Sequence, residues 1–175
     1  MRKNRILTLF LVFLMAVAVI VPTTSCNSDD SPATDTNPNA APDITILDED
    51  NNKVKLSDFL GKPVVINFWS PNCPYCKMEM PAFDDAYEDY PDVQFVMLHV
   101  PFGLDDAADN AKKYVEDEGF GFDLFFDTDG TAARAYGVSS YPTTVLIDKD
   151  GNYVAKQSGM LTKDVLEQGI KMITE

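Results

Sequence analysis

The chain is predicted to fold as an α/β domain with a mixed central β-sheet flanked by helices. From about residue 43 onward, runs of β-branched and aromatic residues alternate with amphipathic segments, which is the pattern of strands joined by helical crossovers. The run Val64–Trp69 is long and apolar enough for a central strand buried on both faces. Near the C-terminus two further apolar runs flank an Asp-Gly pair, which is a strong signature of a β-hairpin.

The predicted strands follow one another along the domain. Two short runs of alternating apolar and polar residues, separated by turn formers, predict an N-terminal β-hairpin, and a capped turn follows at Ser57–Gly61. The early strands are expected to pair in parallel and the last two in an antiparallel hairpin. The predicted strands are Asp43–Leu47, Lys53–Leu56, Val64–Trp69, Val93–Val100, Asp123–Phe126, Thr143–Ile147 and Tyr153–Ser158.

The predicted helices carry apolar residues at helical spacing. In the first, Met78, Phe83 and Ala86 are expected to face the core. The second and third end at Gly119 and Gly137. Thr162 is the predicted N-cap of the last helix, whose apolar face is Val165, Leu166, Ile170 and Ile173. The helices span Pro74–Tyr90, Asp105–Glu118, Asp129–Tyr136 and Thr162–Ile173.

Residues 1–25 have the layout of a lipoprotein-type signal peptide. Basic residues precede the apolar run Ile6–Val21, and small residues follow it. The run is shorter than the about 20 residues of a membrane-spanning helix. Cys26, directly after this segment, resembles the lipidated cysteine of bacterial lipoproteins, although Thr23 stands where that motif usually has an aliphatic residue. An uncleaved anchor and an ordinary secreted product are the alternatives, and all three place the domain outside the cytoplasm.

Residues 26–42 are predicted to be the lipidated cysteine followed by a disordered tether. Asn27–Pro42 is rich in Ser, Asp, Asn, Thr and Pro and has no aromatic or basic residue, so it cannot bury enough apolar surface to order itself. The whole chain carries a net charge of −14. Such a charge disfavours nucleic acid and anionic lipid head groups as partners. The lipid bilayer is an expected partner through the N-terminal anchor.

Cys73 and Cys76 lie where the central strand gives way to a helix. Cys73 falls at the predicted N-cap and Pro74 at the first helical position, where its missing N–H is not needed. The free backbone N–H groups and the positive end of the helix dipole favour a thiolate at Cys73. Cys76 follows one turn further in, shielded from solvent. This arrangement predicts a dithiol/disulfide exchange site with Cys73 as the exposed nucleophile.

The segment from Ala41 to Glu175 resembles the thioredoxin fold, specifically the membrane-tethered TlpA/ResA-like thiol-disulfide oxidoreductases. The resemblance implies a thioredoxin-like domain over residues 43–175, with an N-terminal β-hairpin and an inserted helix. The matching motifs are Ala41-Pro42-Asp43, Leu56–Pro63, Asn67-Phe68-Trp69, Cys73-Pro74-Tyr75-Cys76-Lys77, Glu79, Pro81, Gly137-Val138 and Tyr141-Pro142-Thr143-Thr144.

In that family the first cysteine attacks the substrate and the second resolves the mixed disulfide, which the resemblance assigns to Cys73 and Cys76. Pro142 resembles the cis-proline that lies across from the dithiol and presents the backbone of Tyr141 to an extended substrate strand. The substrate-binding residues that the resemblance implies are Trp69, Pro74, Tyr75, Tyr141, Pro142 and Thr143.

The position of Asn67 is occupied in thioredoxins proper by a buried Asp, which handles the proton of the resolving cysteine. Because Asn67 cannot titrate, the resemblance implies that Glu79 takes over this role, with a pKa raised by burial. Glu79 follows Cys76 by three residues and so lies on the same helix face. An exposed helical Glu without a catalytic role is the alternative.

His99 is the only histidine, near the end of a predicted strand, and is expected to cap or to be solvated rather than to tune Cys73. The Asp-x-Asp-Gly motifs Asp127–Gly130 and Asp148–Gly151 resemble pieces of calcium loops without the remaining ligands, and we interpret them as a helix cap and a hairpin turn. No metal is expected, and no cofactor beyond the redox-active pair Cys73 and Cys76.

The resemblance implies an extracytoplasmic thiol-disulfide oxidoreductase at the outer face of the bacterial cytoplasmic membrane. It would reduce disulfides of exported proteins, in cytochrome c maturation or more generally, with electrons from a membrane thiol donor of the CcdA/DsbD type. One alternative is a thiol peroxidase of the peroxiredoxin type, since Ser70 lies three residues before Cys73. Another is an SCO-like copper-binding chaperone, although that family uses a wider cysteine spacing and a well-placed His.

Overall fold

The computed structural model describes residues 37–103 and 106–175. The predicted signal peptide, Cys26 and the tether up to residue 36 lie outside the described residues, as does the predicted helix start at Asp105. Across the two described ranges, every helix is too short or too polar to cross a membrane.

The described residues form one mixed sheet with the strand order β2-β1-β5-β4-β3-β6-β7. The pairs β3–β4 and β4–β5 are parallel, and the other neighbouring pairs are antiparallel. The predicted N-terminal and C-terminal hairpins are therefore confirmed. The strands are β1 (Thr45–Leu47), β2 (Lys53–Lys55), β3 (Val64–Trp69), β4 (Gln94–His99), β5 (Leu124–Phe126), β6 (Thr143–Ile147) and β7 (Tyr153–Ser158).

Strand β3 lies at the centre of the sheet, between β4 and β6, and all its residues are buried. Because side chains alternate along a strand, Val65, Asn67 and Trp69 point to one face, and Ile66 and Phe68 to the other. Val65 and Trp69 belong to one apolar cluster, and Ile66 and Phe68 to the second. Each face of β3 therefore contributes to a separate hydrophobic core.

Three of the helices cover the Asn67 face of the sheet, and the fourth covers the other face together with a 3-10 turn at Leu56–Phe59. Helix α1 buries Met80 and Phe83, and α4 buries Leu166 and Ile170. The helices are α1 (Pro74–Asp89), α2 (Ala108–Glu118), α3 (Thr131–Ala135) and α4 (Lys163–Thr174).

The four predicted helices are all present, but some residues predicted to lie on their buried faces are exposed. Met78 and Val165, both expected in the core, are exposed. Thr162 is the N-cap residue of α4, yet its side chain makes no capping hydrogen bond. Gly119 ends α2 in the left-handed conformation at φ 76°, as predicted, because only a residue without a Cβ adopts it freely.

The ordered domain begins before the predicted boundary at Asp43. Tyr153 N donates to the carbonyl of Asn39 at 2.8 Å, and Ala41 N donates to the carbonyl of Gly151 at 2.9 Å. Residues 39–41 therefore pair with the β6–β7 hairpin and are not part of a free tether.

Candidate active site

The two cysteines lie at the junction of β3 and α1, as predicted. Cys73 is the N-cap of α1 and Pro74 its first residue. The sulfurs of Cys73 and Cys76 form a disulfide, with the Cα atoms 5.3 Å apart. The backbone N–H of Cys76 donates to Cys73 Sγ at 3.2 Å, so an orphan donor of the first helical turn is directed at the sulfur.

Cys73 is less accessible than the sequence suggested. Its residue exposure is 6%, against 0% for Cys76. The prediction that Cys73 is exposed is therefore wrong for the oxidised protein, because the residue is enclosed at the helix start. Of the two cysteines, Cys73 is the more accessible, as predicted, and it is the one that presents surface to a partner.

Glu79 lies on the buried face of α1, one helical turn after Cys76. Its Oε1 accepts a hydrogen bond from Asn67 Nδ2 at 2.8 Å, and its Oε2 accepts one from the backbone N–H of Leu161 at 2.8 Å. Glu79 is 1% exposed. This burial raises the pKa of Glu79 to about 7, while the hydrogen bonds from Leu161 and Asn67 act to lower it. The alternative of an exposed Glu is excluded.

Asn67 connects this carboxylate to β6, because its Nδ2 also donates to Thr144 Oγ1 at 3.2 Å. Within the described part of the chain, Asn67 Oδ1 is buried without a hydrogen-bond partner. The sequence pointed to Asn67 and Glu79 but not to Leu161, which contributes through its backbone, where no side-chain pattern could reveal it.

The Tyr141–Pro142 peptide bond is cis, as the resemblance implied. In the antiparallel pairing of β3 with β6, Phe68 lies opposite Thr143. Pro142 and Tyr141 therefore leave the sheet beside the end of β3, where the segment leading to Cys73 begins. This places the cis-proline next to the dithiol.

The predicted substrate-binding residues differ in how far they are exposed to solvent. Tyr75 is 63% exposed and Tyr141 half-buried, so both can contact a partner. Trp69 is fully buried against His99 and Tyr114, and Thr143 is fully buried with its hydroxyl donating to the Ser140 carbonyl at 2.8 Å. The side chains of Trp69 and Thr143 therefore support the site from within rather than contact substrate.

Of the two prolines predicted to bind substrate, Pro74 is exposed and Pro142 is buried. Pro74 is exposed at the start of α1, so its ring is available to a partner. Pro142 is buried, so its ring is not available to a substrate strand.

His99 is neither solvated nor a cap, contrary to expectation. It is 1% exposed, and its Nε2 donates to Asp106 Oδ1 at 3.0 Å. The other carboxylate oxygen of Asp106 accepts from Ser70 Oγ and from Phe102 N. Asp106 could not be identified from the sequence, because an acidic loop contains no signal that distinguishes a buried Asp from an exposed one.

The two Asp-x-Asp-Gly motifs have the structural roles that the sequence suggested. The carboxylate of Asp127 accepts from the backbone N–H groups of Ala132 and Ala133 at the start of α3, at 3.1 and 2.8 Å. Asp148–Gly151 forms the β6–β7 turn. Across residues 37–103 and 106–175, no three His, Cys, Asp or Glu side chains lie close enough together to hold a metal ion.

Comparison with known proteins gives a consistent assignment. The sequence model of the AhpC/TSA family matches residues 38–156. The thiol-disulfide oxidoreductase ResA of Bacillus thuringiensis subsp. konkukian (strain 97-27) is 34% identical over 134 residues, which cover 77% of this chain and 76% of the relative. The chain belongs to the ResA-like thiol-disulfide oxidoreductases of the AhpC/TSA family.

Solved structures agree with this ResA-like assignment. MTB dsbF superposes with a TM-score of 0.68 at 26% identity, covering 75% of this chain and 95% of that one. The pneumococcal exposed lipoprotein thioredoxin of Streptococcus pneumoniae strain TIGR4 superposes with a TM-score of 0.64 at 28% identity, covering 75% and 99%. The thioredoxin-like fold is thereby confirmed, and so is the enzyme class of protein-disulfide oxidoreductase.

Proposed function

We propose that this ResA-like protein reduces disulfide bonds of exported proteins outside the cytoplasm, with Glu79 as the proton acceptor of the resolving cysteine. The observation that carries the proposal is the buried Glu79 carboxylate on the Cys76 face of α1, with a pKa of about 7. A group that titrates near neutral pH can take and return a proton during each cycle.

Reduction of a substrate disulfide takes place in two successive thiol-disulfide exchanges. The Cys73 thiolate attacks one sulfur of the substrate disulfide, and the other substrate sulfur leaves as a thiolate. Cys76 passes its proton to Glu79, directly or through one water, and its thiolate attacks Cys73 Sγ. The second substrate thiolate leaves, the enzyme is oxidised to the Cys73–Cys76 disulfide, and the substrate has gained two electrons. A membrane thiol donor of the CcdA/DsbD type would then return the enzyme to the dithiol.

The substitution Glu79→Gln tests the proton transfer. It is expected to slow reduction of a protein disulfide about 100-fold near pH 7, the lower end of general acid–base effects, and to abolish the inflection of the pH–rate profile near 7. Glu88→Gln is the matched control, since Glu88 lies on the exposed face of the same helix. Unchanged rates and unchanged cysteine pKa values in the Glu79 variant would exclude the role.

The reduction potential of the Cys73–Cys76 couple tests the direction. A value well below about −200 mV supports a reductase, whereas one near about −120 mV would make the protein an oxidant. The Cys76→Ser variant identifies the client, because a mixed disulfide on Cys73 has no resolving thiol and accumulates. An apocytochrome c in the trapped adducts would indicate cytochrome c maturation, and a range of exported proteins a general reductase.

The proposed location is the outer face of the cytoplasmic membrane, with a lipid on Cys26. Support comes from the signal-peptide layout of residues 1–25 and from the likeness to an exposed lipoprotein thioredoxin. Intact-mass measurement of the membrane fraction is the test, with Cys26→Ser as the control. A mature chain without diacylglycerol on Cys26 would rule out the lipid anchor.

Peroxide reduction is the second candidate, favoured by Ser70 three residues before Cys73. In the structure, however, Ser70 is fully buried and its hydroxyl donates to Asp106. Its proton is therefore engaged and does not face a peroxide at Cys73. Peroxide consumption by the Cys76→Ser variant would favour the peroxidase.

Copper binding, the third hypothesis, would need His99 as a ligand. Its Nε2 is engaged with Asp106. Titration of the reduced protein with Cu(I) is the direct test, and stoichiometric high-affinity binding would favour the chaperone.

A further inference from the structure

Three chain segments leave the sheet at the edge that carries the disulfide. Trp69 lies opposite His99 in the parallel β3–β4 pair, and Phe68 lies opposite Thr143 in the antiparallel β3–β6 pair. The segment after β3, the segment after β4 and the segment before β6 therefore meet at one edge, which is where sites form in open α/β sheets. The segment after β4 is the one to which neither the sequence nor the proposed mechanism gives a role.

Phe102, in the segment after β4, is an exposed aromatic residue beside the cis-proline. The residue is 54% exposed, and its ring meets that of Tyr141 edge to face, with the centroids 5.8 Å apart. Tyr141 in turn packs against the apolar cluster that contains Cys73 and Cys76. The two rings together form an apolar surface continuous with the exchange site.

The backbone of Phe102 is held by groups at the active site. Its N–H donates to Asp106 Oδ2 at 2.8 Å, and its carbonyl accepts from Asn72 Nδ2 at 3.5 Å. Asn72 directly precedes Cys73 in the chain.

The carboxylate that holds Phe102 is itself fixed. The Asp106 side chain is 0% exposed and is bonded to Ser70 Oγ and His99 Nε2 as well. The backbone of Phe102 is thus fixed to the cysteine-bearing segment, although the residue is 54% exposed. Such pre-organisation of an exposed aromatic ring lowers the entropy lost when a partner binds it.

We propose that Phe102 and Tyr141 form an aromatic subsite that receives a bulky apolar side chain next to the cysteine of an extended substrate segment. Asp106 is the positioning residue that holds Phe102 in place. The proposal deepens the proposed reduction of protein disulfides and rests on it. The occupant is a polypeptide rather than a small thiol, because the subsite continues from the place where the substrate backbone would pass Tyr141.

The test compares two disulfide-bonded peptides that differ only in Phe or Gly beside one cysteine, with hydroxyethyl disulfide as a small substrate. The full-length protein is expected to prefer the Phe peptide about tenfold in kcat/KM, the size of a truncated aromatic contact. Phe102→Ala should remove this preference while leaving the rate with hydroxyethyl disulfide and the reduction potential unchanged. Phe102→Tyr should retain it.

Two further variants separate the subsite from general surface effects. Leu60→Ala removes another exposed apolar side chain, next to Gly151, and should leave the preference intact. Asp106→Ala should reduce the preference by a larger factor than it reduces the rate with hydroxyethyl disulfide, whereas a merely structural loss would lower both equally.

Three outcomes would overturn the subsite. The first is an equal kcat/KM of the wild type for both peptides. The second is an equal loss of activity on all three substrates in Phe102→Ala. The third is a Phe102→Ala variant that keeps the preference for the Phe peptide and changes only in self-association, measured by sedimentation. If hydroxyethyl disulfide is reduced but neither peptide is, the proposed function itself is contradicted, and the subsite falls with it.

Discussion

At the scale of single residues, the pKa of Glu79 results from a balance between burial and hydrogen bonding. Both carboxylate oxygens accept an N–H, from Asn67 and from Leu161, and this set of partners stabilises the charged form. Burial favours the neutral form and outweighs them, so the pKa is raised to about 7 rather than lowered. Asn67 can also stabilise the neutral form, because rotation of its amide would turn Oδ1, which has no partner among the described residues, toward a protonated Glu79.

This raised pKa makes the stability of the oxidised protein depend on pH. The folded protein holds the Glu79 proton up to about pH 7, whereas the unfolded chain releases it near the ordinary value of 4.5. Glu79 therefore does not reduce the free energy of unfolding below about pH 4.5. It lowers that free energy progressively as the pH rises from there through 7. The shift corresponds to about 3 kcal/mol. Urea unfolding of wild type and Glu79→Gln at pH 5 and pH 8 measures it.

The wild type is expected to lose about 2.5 kcal/mol more than Glu79→Gln between these two pH values. The comparison between the two proteins removes the contribution of the other acidic groups, which both share. Parallel pH profiles for the two proteins would contradict the assigned pKa.

At the scale of elements, the β1–β2 and β6–β7 hairpins use the same five-residue turn. Asp48 Oδ1 accepts from the N–H groups of Asp50 and Asn52, and Asp148 Oδ1 accepts from those of Asp150 and Asn152. In each turn the fourth residue has a positive φ, 63° at Asn51 and 81° at Gly151. The sequence predicted both turns but did not show that they are of the same type, because one has Asn and the other Gly at the left-handed position, and both residues are common turn formers.

Replacing Asn51 by Gly is therefore expected to stabilise the protein by about 0.5–1 kcal/mol, since a left-handed conformation at φ 63° is strained for residues with a Cβ and free for Gly. Thermal unfolding should show a rise of a few degrees in Tm. Asp50→Gly is the control in the same turn, because Asp50 is not among the residues with positive φ, and it should not stabilise. A lower Tm for Asn51→Gly would show that the Asn51 side chain contributes more than its backbone strain.

At the scale of the whole molecule, what the sequence predicts depends on whether a feature is local. The strand β3, the N-cap at Cys73 and the turn at Gly119 follow from neighbouring residues and are confirmed. Which side of α1 is buried depends on its docking against β3, and so Met80 is buried where Met78 was expected.

The pairing of His99 with Asp106 depends on the chain folding back after β4, which no periodicity encodes. The contact of Phe102 with Tyr141 joins segments nearly forty residues apart in the chain and is equally hidden. Family resemblance supplied the cis-proline and Glu79, but it could not supply features that lie outside the shared motifs.

The net charge of −14 gives a prediction that belongs to the molecule as a whole. Its field attracts cationic substrates and repels anionic ones over about 30 Å at 10 mM salt, but over only about 3 Å at 1 M. A peptide disulfide flanked by Lys should therefore be reduced at least about tenfold faster, in kcat/KM, than one flanked by Glu at 10 mM salt. The difference should vanish at 1 M, while a neutral peptide changes little. A preference that persists at 1 M would mean that contacts at the site, rather than the overall charge, select the substrate.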